Sequence, residues 1–260
     1  MKVIKVIVRI DDVVGSELQE IAKWFLKNHP DVPCCIYAMK THKEWNTKDW
    51  KLAKKLIEGY GWEIGGHTRN HLPLTLLSEN EIYEEIAQNI QDIEGGLQSV
   101  GLSYKVQSFA LPVGEYNDKV LKVLRELGIR FVLTYPDTYP YLSADNLQKD
   151  DKLLIIGVTH SGNPANLHLF NERFLKACNR GLYILGLHSN WWRVPISTIF
   201  AEFLHRQRSL YQSVYGFYRT ISSKSDPHRL YVLYEHLNYI KKFKNIEFLT
   251  FNRLNIETYQ

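Results

Sequence analysis

The feature that most narrows the fold is a repeated alternation of short apolar runs with stretches that place apolar residues on one helical face. Eight runs read as strands, at residues 3–10, 33–39, 62–65, 106–111, 130–135, 153–158, 183–187 and 247–251. Most are apolar throughout rather than at every second position, the pattern of strands covered on both faces, as in a parallel sheet. Between them, residues 16–28 set Leu18, Ile21, Ala22, Phe25 and Leu26 on one stripe at the 3.6-residue period, and residues 49–60 repeat this with Trp50, Ala53, Leu56 and Ile57. Ser78 and Glu81 form a capping box opening a long helix through Ile82, Ile86, Ile90 and Ile93, with Gly95-Gly96 as its expected stop. Asn117 reads as the N-cap of a helix ending near Gly128, and residues 227–244 as the last helix.

Strand and helix alternating about eight times predict an α/β chain, a distorted (β/α) barrel of seven or eight parallel strands, as one domain over residues 1–260. An open doubly wound sheet gives the same alternation, but no glycine-rich dinucleotide fingerprint follows the first run. A helical insertion near 190–224 breaks the rhythm. It has Pro195 in its first turn, apolar positions at Ile196, Ile199, Phe200, Phe203 and Leu204, and Glu202 as its only acid. It reads either as a helix packed along the barrel wall or as a substrate cap, oligomer contact or membrane-surface element.

A hydrophobic fraction of 45% with 23% charged residues supplies an ordinary core. No apolar run approaches the roughly 18 residues of a membrane span. The first run is interrupted by Lys5 and Arg9 and ends in two aspartates, unlike a signal peptide, so the expectation is a cytoplasmic protein. Three cysteines, with Cys34 and Cys35 adjacent, fit buried thiols in a reducing compartment. The net charge of +4 is concentrated late: from Leu204 to Arg253 nine Lys/Arg face three Asp/Glu, which suits an anionic substrate or surface, or a solvated face. No nucleic-acid-binding motif is present, and none is expected to bind.

Four polar signals follow four separate strand runs. Asp11-Asp12 follow the first; paired carboxylates there are costly unless partnered or ligating. His67 and His71 follow the third, and imidazoles at this spacing can share one side of a turn and suit zinc. Pro112-Val113-Gly114 follows the fourth, a turn entering a capped helix. His188 ends the seventh, a candidate proton donor beside Trp191 and Trp192, or a core histidine. In a parallel barrel, carboxyl strand ends share the face where active sites gather.

Taken in order, Ile10-Asp11-Asp12-Val13, His67-Thr68-Arg69-Asn70-His71, Ala110-Leu111-Pro112-Val113-Gly114 and Leu187-His188 resemble the motifs of the polysaccharide deacetylase family, carbohydrate esterase family four. The resemblance implies a divalent metal, zinc foremost, on Asp12, His67 and His71. It implies Asp11 as general base, His188 as general acid and the Val113 backbone N–H as an oxyanion donor. The implied function is hydrolysis of an N-acyl group, acetyl foremost, from an amino sugar that is polymeric or linked to a lipid or nucleotide, with peripheral membrane or lipid-carrier contact through the insertion. The alternatives are an amide hydrolase for a non-sugar small molecule and a non-catalytic carbohydrate-binding relative. The sequence departs from the family where Ala110 replaces the arginine that orients the aspartate, where Val13 replaces a glycine, and where Gly186 replaces a leucine. Asp137 is the one candidate for the aspartate that tunes the late histidine.

Overall fold

In the computed structural model, which describes residues 3–135, 153–161, 165–192 and 227–254, the apolar runs form a single sheet. Its strands among the described residues are β1 (Ile4–Val13), β2 (Cys34–Ala38), β3 (Glu63–Gly66), β4 (Ser108–Ala110), β5 (Phe131–Thr134), β6 (Leu154–Gly157), β7 (His160–Ser161), β8 (Leu182–His188) and β9 (Ile246–Phe248). The helices are α1 (Gly15–Asn28), α2 (Thr41–Glu44), α3 (Thr47–Tyr60), α4 (Glu79–Ser99), α5 (Asp118–Glu126), α6 (Leu167–Cys178) and α7 (Pro227–Ile240). Strand order is β6-β5-β4-β3-β2-β1-β8-β7, with β9 beside the start of β1, and every pairing is parallel. The expected parallel (β/α) architecture is therefore present.

Alternate residues of the strands divide between two cores. Ile7, Cys35, Tyr37, Ala110, Phe131, Leu133, Ile156 and Ile184 fill the concave side of the sheet. Val6, Val8, Ile10, Cys34 and Ile36 join the helical stripes of Leu18, Ile21, Phe25, Ala53 and Leu56 outside it. The barrel is distorted where β6 meets β7. The Val158 N–H still donates to the Thr134 carbonyl of β5 at 3.4 Å, but that of Thr159 donates across to Ile184 of β8 at 2.9 Å. The two ends of the sheet are thus consecutive in the chain and are not paired with each other among the described residues.

Several boundaries differ from expectation for identifiable reasons. β1 runs on through Val13, so Asp11 and Asp12 lie within the strand end, where the β1–β2 register breaks between Ile10 and Val13. α4 does not stop at Gly95-Gly96 but continues to Ser99. Gly96 lies under the Trp50 ring, where an added Cβ would fall 2.3 Å from a ring carbon, so close helix packing explains that glycine. The last helix ends at Ile240 rather than 244, and Phe251 lies in a short 3-10 turn instead of the final strand. β7, α2 and α6 were not anticipated, although α6 buries Phe170, Phe174 and Ala177 at helical spacing and is capped by the Asn166 side chain. Of the insertion near 190–224, Ser189–Trp191 form a 3-10 turn, while residues 193–226, and Asp137, lie outside the described residues. No helix among the described residues is long and apolar enough to cross a membrane.

Candidate metal and catalytic site

The carboxyl ends of β1, β3, β4, β5 and β8 bring the polar residues together. Asp12 Oδ1 lies 2.9 Å from His67 Nε2 and 3.1 Å from His71 Nε2, and the two imidazole centroids are 4.9 Å apart. Each local backbone turn is paid out in conformation rather than by glycine: Asp12, Thr68, His71 and Val113 all have φ between 54° and 62°. Positive φ is uncommon for such residues and persists where surrounding contacts over-determine it. Those contacts are present. Ser189 Oγ donates to the Asp12 carbonyl at 2.9 Å, and from α4 the Asn89 amide oxygen accepts the His67 N–H at 2.9 Å while Glu85 accepts the Asn70 N–H at 2.8 Å. Because the left-handed conformation falls on Asp12 and not on residue 13, Val13 needs no glycine-like freedom; it is buried in the outer core and pairs with Ala38.

The donor chemistry fits a cation. A carbonyl carries no proton, so His67 must donate its Nδ1–H to Ala110 O, 2.7 Å away. In the neutral ring this leaves a lone pair on Nε2 facing a carboxylate oxygen that also offers only lone pairs. Positive charge must lie among the three groups, either as a proton on an imidazole or as a metal ion. Burial alone would depress the His67 pKa, but the bond to Asp12, the charges of Asp12 and Asp11, and the Ala110 carbonyl together raise it. Burial likewise pushes Asp12 up, yet its bonds from His67 and His71 hold it well below the usual carboxylate range. Two imidazoles and one carboxylate are a donor set that suits a divalent ion such as zinc. His67 is 1% exposed, whereas Asp12 and His71 are 27% and 33% exposed, so the cluster is open on one side.

Beneath it lies a second cluster, fully buried at Arg9 and Asp11 and partly buried at His188 and Tyr135. β1 and β8 pair Asp11 directly with His188, which sets the two side chains at neighbouring positions across the sheet. Asp11 is not left without a guanidinium, as the alanine at position 110 had implied. Arg9, two residues back on the same strand, grips it through Nε to Oδ1 at 2.8 Å and Nη2 to Oδ2 at 2.6 Å, while Nη1 donates to the Thr134 carbonyl at 3.0 Å. Burial would raise the Asp11 pKa, but the Arg9 charge and hydrogen bond together with the nearby His67 and His188 outweigh it, and the net shift is downward.

Tyr135, at the end of β5, completes the cluster. Its hydroxyl is 3.0 Å from Asp11 Oδ2 and 2.8 Å from His188 Nε2. Burial and the nearby Asp11 charge raise its pKa, so it remains a phenol with one proton. An ionised carboxylate only accepts, so that proton points to Asp11 and the phenol oxygen accepts from His188 Nε2–H. His188 thus meets a tyrosine, while Trp191 and Trp192 pack into the outer core. Val113 lies in the 3-10 turn Pro112–Gly114 with its side chain 54% exposed; an added Cβ on the adjoining Gly114 would lie 2.7 Å from the Tyr135 ring.

Residues 6–132 match the family model described as Polysaccharide deacetylase. This stretch belongs to the polysaccharide deacetylase family. It holds Asp11, Asp12, His67, His71 and Val113, whereas Tyr135 and His188 lie beyond the match. Among solved structures, a candidate polysaccharide deacetylase from Mycobacterium smegmatis superposes with a TM-score of 0.64 at 14% identity, over 97% of this chain and 88% of that one. The Xyl-CE4 domain of a multidomain xylanase from the hindgut metagenome of Trinervitermes trinervoides gives 0.54 at 11%, over 96% and 88%. A 4-alpha-glucanotransferase from Thermococcus litoralis gives 0.61 at 13%, over 97% of this chain and 40% of that one. At these identities the likeness is one of fold, and the transferase illustrates that fold alone does not carry an activity. No curated protein matches the chain.

Arg9, Tyr135, Asn89 and Glu85 escaped the reading of the deacetylase motifs. Arg9 did leave a signal, a full charge inside a run whose neighbours all bury, but that signal served only as an argument against a signal peptide. Asn89 and Glu85 lie on the apolar-striped helix α4, where a polar residue one position off the stripe looks solvated.

Proposed function

We propose that the chain is a metal-dependent hydrolase that removes an N-acyl group, acetyl foremost, from an amino sugar. The observation that carries this reading is Asp12 Oδ1 within 3.1 Å of both His67 Nε2 and His71 Nε2, beside an ion-paired Asp11 that faces His188. A divalent ion on Asp12, His67 and His71, zinc foremost, would supply Lewis-acid polarisation of the amide carbonyl and a water of lowered pKa. Asp11 then accepts a proton from the attacking water, and His188 delivers a proton to the departing amine nitrogen. Water and amide are consumed; a carboxylate and a free amine result. The Val113 backbone N–H is assigned to the carbonyl oxygen as negative charge develops there.

The non-catalytic reading rested on the missing arginine, and the Arg9–Asp11 pair supports the catalytic reading over it. The test is to strip tag-free protein with a chelator, restore single divalent ions, and measure acetate released from N-acetylglucosamine oligomers. The expected result is activity that disappears on stripping and returns with zinc or a neighbouring divalent ion. Activity on non-sugar amides alone would move the substrate class, and activity unaffected by stripping would end the metal reading.

A further inference from the structure

We propose that Arg9 is the positioning residue for Asp11, a guanidinium supplied from β1 that fixes which carboxylate oxygen is left to act as the base. This rests on the reading of Asp11 as the base.

The geometry leaves little freedom. Arg9 and Asp11 are 0% and 1% exposed, and the paired Nε and Nη2 contacts lock the carboxylate plane to the guanidinium plane. The guanidinium is itself fixed by the Thr134 carbonyl and by the rings of Tyr37 and Tyr135, whose centroids lie 5.7 and 5.2 Å from its central carbon. An ionised carboxylate has about four lone-pair sites. Oδ2 accepts from both Arg9 Nη2 and Tyr135 Oη, whereas Oδ1 accepts from Arg9 Nε alone among the described residues. The remaining acceptor site is therefore on Oδ1, and that atom is assigned the proton from the attacking water.

The Tyr37 ring that flanks this arginine is itself closely seated. In the β1–β8 register Arg9 pairs with Gly186, and Ala110 at the end of β4 lies in the concave core. Gly65 leaves room for the Tyr37 ring, since a Cβ there would lie 2.3 Å from a ring carbon. Gly186 instead leaves room for Val158, whose Cγ1 a Cβ there would meet at 2.9 Å, and the planar cation is held by the Tyr37 and Tyr135 rings, the Thr134 carbonyl and Asp11. The guanidinium that orients Asp11 thus enters from the first strand, while position 110 of β4 is alanine.

The test compares wild type, Arg9→Lys, Arg9→Met, Asp11→Asn and the charge-free pair of Arg9→Met with Asp11→Asn, each zinc-loaded and assayed for acetate release with kcat and KM separated. Arg9→Lys keeps the charge and loses the fork. Misplacement of a reacting group by an ångström can lower a rate by about 100-fold, so the expected result is a kcat loss of about 10- to 100-fold, with KM and zinc affinity unchanged. In the Asp11→Asn background, Arg9→Met is expected to lower the residual rate no further. Arg9→Lys within about twofold of wild-type kcat overturns the proposal, as does an Arg9→Met effect of equal size in both backgrounds. Loss of zinc alongside activity, or failure of the charge-free pair to fold, also overturns it, because the role would then be structural. A wild type with no zinc-dependent activity would instead defeat the functional reading on which this rests.

Discussion

The rings of Tyr135 and His188 stack with centroids 5.8 Å apart and planes 9° from parallel, and Tyr135 Oη lies 2.8 Å from His188 Nε2. The same hydroxyl reaches Asp11 Oδ2 at 3.0 Å, so one phenol joins the proposed base to the proposed acid. Tyr135→Phe preserves the stacking and removes both bonds. Because the acid and base themselves remain, kcat is expected to fall by about 10-fold, less than the roughly 100-fold or more that a positioned acid or base contributes, with KM and zinc affinity unchanged. Steady-state kinetics and zinc titration check this; an unaltered kcat would make the hydroxyl a spectator.

The two histidines of the metal cluster differ in burial, and their replacements should differ accordingly. Zinc added at about 100 times its dissociation constant to stripped protein is expected to raise stability by about 2.7 kcal/mol, seen as a higher melting temperature. His71→Ala should abolish that rise and leave the metal-free melting temperature nearly unchanged, since His71 is 33% exposed. His67→Ala should abolish it and also lower the metal-free value, because that ring is buried and hydrogen-bonded to Ala110 O. Thermal melts with and without zinc distinguish the two.

Asn89 ties α4 to the site: its oxygen accepts the His67 N–H at 2.9 Å and its amide donates to the Ala38 carbonyl at 3.1 Å. Asn89→Ala leaves both backbone groups buried without that partner, at an expected cost of about 1–3 kcal/mol. The His67 loop should loosen with it. Urea denaturation combined with zinc titration is the measurement, and a loss of stability with wild-type zinc affinity would sever the link between helix and site.

Acid sensitivity should come partly from a histidine far from the metal cluster. His236 is fully buried, with Nε2 2.9 Å from the Tyr183 hydroxyl and Nδ1 2.8 Å from Asn171 Oδ1. Burial, aided by His160, lowers its pKa from 6.5 to about 3. Below pH 6.5 the unfolded chain binds a proton that the folded chain refuses, so its contribution is complete above 6.5 and is lost as pH falls toward 3. The slope from this one group is on the order of 1.4 kcal/mol per pH unit. His236→Gln should flatten the stability profile between pH 6 and 4, measured by urea denaturation across that range; an unchanged slope would assign the acid limb to other groups.

Much of the fold could be read directly because it rests on local periodicity. The runs behind β1, β2 and β8 are apolar on both faces, and α1, α3 and α4 carry clear stripes; each pattern is set within a dozen residues. The failures were equally local in form. Gly96 looked like a helix stop because chain conformation alone could account for it, whereas the cause is Trp50, 46 positions away in sequence and in contact only after packing.

The sequence by itself determined most of the element types, the parallel architecture and the motif residues that lie at the strand ends, because hydrophobic period and motif order are properties of the chain. Only the tertiary structure decided what each of those residues touches. Asp11 keeps a guanidinium from Arg9 although position 110 is alanine, and His188 faces Tyr135 although two tryptophans follow it in sequence. The physical reason is that a hydrogen bond or ion pair depends on distance in space. Strand register, which pairs Asp11 with His188 across 177 residues of chain, sets that distance after the sheet has formed.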